Sequence, residues 1–242
     1  MTSIKNSKIG IIIFSRFSSE RLRGKAMINI KKRPLLGHII DRVKKVGESY
    51  PIIVATSSHK SDDIIENFSK SEGLEVFRGN LTDVMNRALL CCQKFKFDSF
   101  VRICGDRIFL SPKLINKMIK VHLSKKVDLT TNNLKKTYPF GLTTEIISVR
   151  SLEKVFQKTK DPFDREHITN FYYNNSNEFS IENIESKNKM NPNLNLSVDT
   201  KDDLSKVRWI LTGLPKPYAD LDIEKIIKRL ENYNIRVKKC AV

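Results

Sequence analysis

Short, mostly apolar runs recur along this chain at residues 9–14, 52–55, 75–77, 99–103 and 129–130, and their period decides what it can fold into. A strand wet on one face alternates apolar with polar side chains, whereas one covered by helices on both faces reads as a near-continuous apolar run. The run Ile9-Gly10-Ile11-Ile12-Ile13-Phe14 is of the second kind. Between the runs, segments 35–46, 62–71, 83–95 and 112–123 carry apolar residues at intervals of three and four, the spacing of a helix that lays one stripe on a sheet. This β-α-β-α order predicts an α/β fold with a doubly wound, mostly parallel sheet. At 242 residues the chain is long enough for a single domain, residues 1–242, of this kind.

Beyond residue 138 the pattern loosens. It predicts a strand at 143–149, helices at 151–156 and 165–173, and strands at 179–184 and 194–198. The polar stretch 185–195, rich in Asn and carrying Pro192, reads as a loop or hairpin connection. Thr200, with Asp203 three residues on, reads as the N-cap of a helix that runs through Leu211 and stops at Gly213-Leu214-Pro215. A last helix is expected at 223–232. There is no internal repeat and no low-complexity tract.

Charge narrows the partners. Forty-four Lys and Arg against 27 Asp and Glu leave +17, a balance that raises nucleic acid as a partner. Residues 1–48 hold twelve basic and three acidic side chains, so more than half of the excess sits in a fifth of the chain and the rest is dilute. The accompanying abundance of Lys, Asn and Ile is the bias of A+T-rich coding, and no nucleic-acid partner is expected. No apolar run approaches the roughly 18 residues of a bilayer span. Residues 1–5 show no secretory signal, so a cytoplasmic protein away from membranes is expected. Cys91, Cys92, Cys104 and Cys240 lack metal or redox spacing and read as reduced, mostly buried thiols.

The basic excess has a centre. Residues 15–25, Ser-Arg-Phe-Ser-Ser-Glu-Arg-Leu-Arg-Gly-Lys, follow the first strand directly. A glycine-containing loop there lies at the carboxyl edge, where doubly wound sheets bind ligands and free backbone N–H groups face an anion. Arg16, Arg21 and Lys25, spaced five and four residues apart, are able to converge on one highly charged group such as a triphosphate. Neither the Walker-A spacing nor GxGxxG is present, so a solvated basic loop is an equally open reading. Asp106 and Asp199 each follow an expected strand and are able to lie at one sheet edge, as a pair of hard oxygen groups. For Asp199 a capping role before a helix is the other reading.

Segment 15–25 resembles the A-R-x-x-S-x-R-L-P-G-K signature of the cytidylyltransferases that activate acidic sugars with CTP, such as the 3-deoxy-manno-octulosonate and sialic acid enzymes and their SpsF-like relatives. Residues 52–58 are similar to that family's I-V-A-T segment, 77–87 to F-R-G-x-x-x-D-V-x-x-R, and 101–112 to V-R-x-x-G-D-x-P-L-x-D-P. Residues 138–146 resemble Y-P-x-G-x-x-x-E, Arg165-Glu166-His167-Ile168-Thr169 occurs intact, and 196–204 match L-x-V-D-T-x-x-D. The likeness spans residues 8–212 in the family's order.

The resemblance implies a Rossmann-like nucleotide-diphospho-sugar transferase fold with a small acceptor and dimerisation subdomain at about 138–192, and a homodimer. It also implies transfer of CMP from CTP to an acidic sugar, Kdo- or nonulosonate-like, giving a CMP-sugar and pyrophosphate for surface polysaccharide biosynthesis. On this basis Arg16, Arg21 and Lys25 hold the triphosphate beside Ser15 and Ser19, and Gly24 allows close backbone approach. Asp106 and Asp199 share Mg²⁺, and with Arg16 and Lys25 they form the catalytic set. Ala55, Thr56, Ser57 and the Arg78-Gly79 turn are expected to read cytosine through free backbone groups, although a plain strand-end turn would look the same at Ala55. Asp83 and Arg87, four apart on a helix, read as a surface ion pair worth about half a kcal/mol or, by the motif, as nucleotide-side residues. Tyr138, Gly141, Glu145, Arg165, Glu166 and His167 are expected to face the acceptor, with Arg165 clamping its carboxylate. His167 reads equally well as a satisfied core histidine.

The chain departs from the family pattern at Arg23, where proline is usual, and at Arg107-Ile108, where a small or acidic residue precedes proline. It departs again at Ser111, where aspartate is common, and at Phe140, where arginine is frequent. The phosphate cations and both carboxylates are intact, so the departures bear on the acceptor. A nucleotidyltransferase for another base or a non-sugar acceptor, and a non-catalytic basic binding protein with the same fold, are the competing readings.

Overall fold

Each β1 residue finds a different core from its neighbours, which is why the run is apolar throughout. In the computed structural model, which describes residues 8–188 and 190–240, the first half of the chain forms β1 (Ile9–Phe14), β2 (Asn29–Ile30), β3 (Arg33–Pro34), α1 (Leu35–Lys44), β4 (Ile52–Ser57), α2 (Asp63–Ser71), β5 (Glu75–Gly79), α3 (Val84–Phe95), β6 (Ser99–Cys104) and α4 (Pro112–Lys125). The second half adds β7 (Leu129–Thr131), β8 (Glu145–Ser148), α5 (Val149–Lys158), α6 (Pro162–Glu166), α7 (Asn170–Asn174), β9 (Ile181–Asn183), α8 (Lys201–Leu211) and α9 (Ile223–Cys240). The reading made on residues 1–5 lies outside the described residues, as does the side chain of Cys240.

Seven strands form one sheet in the order β5-β4-β1-β6-β8-β7-β9, and β2 and β3 make a separate antiparallel pair. β1 runs parallel to β4 on one side and to β6 on the other, and only β8 is reversed against its neighbours. Ile9, Ile11 and Ile13 point into a core with α1, α4, α8 and α9, whereas Ile12 and Phe14 point into a second core with α3, α5 and α7. The sheet is thus doubly wound. Gly10 carries no Cβ because the Phe97 ring packs where one would stand. Cys91 and Cys92 fill the second core, and burial pushes the Cys91 thiol up to about 12, out of reach of thiolate chemistry. No helix among the described residues is long and apolar enough to cross a membrane.

Two expected elements differ. The helix expected at 165–173 is the pair α6 and α7, separated at residues 167–169, where the Thr169 hydroxyl donates to Glu145 Oε1 at 2.9 Å. The strand expected at 194–198 is absent from the sheet and makes one bridge, Phe140 with Asn195. There the Ser197 N–H donates to Asn195 Oδ1 at 2.8 Å, a local bond that takes the group a ladder would use. The Thr200 cap forms as expected, as a reciprocal capping box with Asp203. The last helix runs on to Cys240.

Candidate active site

From β1 the chain crosses to β4 and β5 on one side and returns to β6 on the other, so a crevice opens at the carboxyl ends of β1 and β6, the switch point where such sheets bind ligands. It is a cleft of about 610 Å³. Loop 15–25 forms one wall. The Phe17 carbonyl accepts the N–H groups of Ser19 and Gly24 at 2.9 and 2.8 Å, which curls the loop and brings Arg16, Ser19, Arg21 and Lys25 to the cleft with Ser15. Gly24 sits in the left-handed region at φ 71°, and a Cβ there would stand 3.0 Å from the Phe17 ring.

Both aspartates meet at Lys25. Its Nζ lies 2.8 Å from Asp199 Oδ1 and 3.8 Å from Asp106 Oδ2, and Arg21 reaches the same Asp199 oxygen at 3.0 Å. The Val198 N–H donates to the Asp106 carbonyl at 3.0 Å, which ties the two segments together below the side chains. Asp106 Oδ1 is buried and has no hydrogen-bond partner. Such an oxygen is costly unless a cation or donor meets it. Among the described residues no third acidic, His or Cys side chain joins them. Two carboxylates suit a hard divalent ion that takes its other ligands from water and phosphate.

The far end of the cleft is built from β6, β8 and α7. Arg102 and Glu145 face each other across the β6–β8 register and pair at 2.6 Å. Glu145 Oε1 also accepts from the Tyr173 and Thr169 hydroxyls at 2.6 and 2.9 Å. Burial pushes the Glu145 carboxyl up, but the Arg102 and Arg107 charges and these bonds outweigh it and hold the group below the usual carboxylate range. Arg16 bridges to Glu166 at 2.6 Å, and His167 lies against the exposed Phe163 ring at a centroid distance of 4.3 Å on the cleft wall.

Several expected residues stand elsewhere. Thr56 and Ser57 are buried with their side chains on Asp62 Oδ2, at 2.8 and 2.5 Å, and the Ser57 N–H donates to the same oxygen. The Ala55 carbonyl accepts from Ser15 N–H. Arg78 binds Asp63 and Glu66 at 2.5 and 2.6 Å, and Gly79 packs on Arg87. These groups are occupied by the protein and do not line the cleft. The ion pair expected between Asp83 and Arg87 does not form: Asp83 caps α3 and pairs with Arg165 at 3.3 Å, while Arg87 lines the cleft and donates to the Asn80 carbonyl at 2.6 Å. Arg165 lies over the Phe156 ring at 3.5 Å and donates to the Phe156 and Thr159 carbonyls, which removes it as a carboxylate clamp. Tyr138 and Gly141 also lie outside the lining, and Gly141 allows Leu196 to pass at a distance where a Cβ would meet its carbonyl carbon at 2.7 Å. Sequence reasoning missed Arg102, although a lone arginine inside a buried strand run is itself a signal.

Known proteins share this sequence pattern and fold. The Cytidylyltransferase family model matches residues 10–232. An uncharacterised protein of Methanocaldococcus jannaschii is 31% identical over 242 residues, covering 96% of this chain and 97% of its own. The spore coat polysaccharide biosynthesis protein SpsF of Bacillus subtilis is 27% identical over 204 residues, covering 81% of this chain and 83% of its own. A cytidylyltransferase of Leptospira borgpetersenii superposes with a TM-score of 0.88 at 25% identity, over 94% of this chain and 95% of its own. CMP:2-keto-3-deoxy-manno-octonic acid synthetase complexed with CTP shares the fold, with a TM-score of 0.62 at 17% identity over 84% of this chain and 97% of its own. With two carboxylates and a cationic loop at the switch point of its sheet, the chain belongs to the cytidylyltransferase family and is a CTP-dependent nucleotidyltransferase.

Proposed function

We propose that the enzyme transfers CMP from CTP to an acidic sugar, releasing a CMP-sugar and pyrophosphate for surface polysaccharide biosynthesis, with Mg²⁺ held by Asp106 and Asp199. One observation carries the reading: carboxylates from the turn after β6 and from the residues just before α8 converge on Lys25 of the cationic loop, with Asp106 Oδ1 unpartnered. Arg16, Arg21 and Lys25 neutralise the triphosphate and the leaving pyrophosphate. A bound Mg²⁺ supplies Lewis-acid polarisation of the phosphate oxygens. The sugar's anomeric hydroxyl forms its bond to the α-phosphorus as the bond to the bridging oxygen breaks; its proton passes to solvent and pyrophosphate leaves toward Lys25. Of the residues expected from the sequence to face the acceptor, Glu145, Glu166 and His167 line the cleft.

Pyrophosphate release from CTP across a panel of sugar acids, with and without magnesium, tests the whole reading. Magnesium-dependent release with at least one acid is expected; none with any acid refutes the acceptor class. Asp106→Ala is expected to abolish turnover while the melting temperature holds, and a tenth of the activity remaining would defeat the metal assignment.

A further inference from the structure

Most cationic side chains of the cleft already have a protein anion. Arg16 pairs with Glu166, Arg21 and Lys25 with Asp199, and Arg102 with Glu145. Arg87 has none, but it faces the Arg16 end and is engaged by the Asn80 carbonyl. Arg107 lines the cleft beside Thr143 and Glu145 and makes no ion pair with a carboxylate among the described residues. It follows Asp106 in the turn after β6 and is only 8% exposed. Its Nη1 donates to the Thr143 carbonyl, which fixes the guanidinium near the foot of β8. The acid on that strand, Glu145, is already satisfied by Arg102, Thr169 and Tyr173.

A guanidinium offers five donors in a planar fork matched to a carboxylate. Arg107 uses a single donor, on a backbone carbonyl, and no carboxylate is bonded to it; Glu145 feels its charge but spends its own oxygens on Arg102, Thr169 and Tyr173, so the remaining guanidinium donors are left for an anion that arrives from solution. We infer that Arg107 binds the carboxylate of the acceptor and so sets a preference for acidic over neutral sugars, the role that Arg165, locked on Phe156, does not fill. The inference rests on the acidic-sugar reading above. Its chemistry is consistent with that reading's attack: in a 2-keto sugar acid the carboxylate and the anomeric hydroxyl share one carbon, so a clamp beside Asp106 places the nucleophile next to the residue assigned to the metal. Arg107 also stands where the family pattern has a small or acidic residue, so the clamp would belong to this chain's own specificity.

The test compares 3-deoxy-manno-octulosonate and N-acetylneuraminate, each as the free acid and as its C1 amide, by pyrophosphate release at saturating CTP. The parent enzyme is expected to favour at least one acid over its amide by about tenfold or more. In Arg107→Met the acceptor KM for that acid should rise about 10- to 100-fold and the acid-to-amide ratio fall to near one, while the CTP KM and the CTP-induced rise in melting temperature stay unchanged. Arg107→Lys, which keeps the charge and loses the fork, should lie between them; it carries the test if the methionine variant does not fold. An undiminished acid preference in a folded variant overturns the inference alone, and so does a raised CTP KM with the ratio unchanged. If the parent enzyme uses neither acid, or prefers the amides, the acidic-sugar reading fails before any variant is made and the inference falls with it.

Discussion

Asp62 shapes the cationic loop from behind the cleft. Its Oδ1 accepts the Phe17 N–H at 2.8 Å, and its Oδ2 gathers Thr56 and Ser57, so one carboxylate anchors the loop to the end of β4. Burial pushes this carboxyl up, yet the four donors prevail and hold it below its ordinary value of 3.8. Since the folded value lies under the unfolded one, the stabilisation is present above about pH 4 and is lost as pH falls through the folded value. Asp62→Asn turns an amide N–H₂ toward one of these donors and is expected to cost about 2–3 kcal/mol at pH 7, with the deficit shrinking toward pH 3. Urea unfolding at the two pH values checks this; a deficit of the same size at both would remove the carboxylate as its cause. Nothing in the residue pattern sets Asp62 apart from Asp63 beside it. Only the fold points one inward to Phe17 and the other outward to Arg78.

At the scale of elements, the start of α8 joins stability to the site. Thr200 Oγ1 accepts the Asp203 N–H at 3.2 Å, and Asp203 Oδ2 accepts the N–H groups of Thr200 and Asp199 at 3.0 and 3.1 Å. The cap therefore orients the residue assigned to the metal. Thr200→Ala is expected to cost about 1 kcal/mol, which lowers the melting temperature of a protein this size by about 2–4 °C. It should also reduce kcat more than Ser111→Ala, which removes the corresponding cap of α4. Equal kcat losses in the two variants would show that the α8 cap is structural only. Thr200-Lys-Asp-Asp203 was legible because a capping box is local. The break between α6 and α7 was not, because its partner, Glu145, is 24 positions away from Thr169.

Across the whole molecule, a ligand that binds only the folded chain raises its stability by mass action. CTP with magnesium, at about a hundred times its Kd, is expected to raise the melting temperature by about 5–10 °C. ATP at the same concentration should give a small fraction of that shift, and equal shifts in a thermal melt would refute selectivity for cytosine. The sequence alone determined the seven strands of the sheet, most of the covering helices and the cationic loop after β1, and erred by one strand at 194–198 and by one unbroken helix at 165–173. Those features follow from side-chain period and from chemistry concentrated in a few consecutive residues. Tertiary structure decided which groups face the cleft: Thr56 and Ser57 turned to Asp62, Arg165 to Phe156, and Arg102 and Arg107 came to the cleft wall. The physical reason is that a polar side chain is committed by whatever partner it is buried against. Here those partners come from distant parts of the chain, with Lys25 and Asp199 174 positions apart.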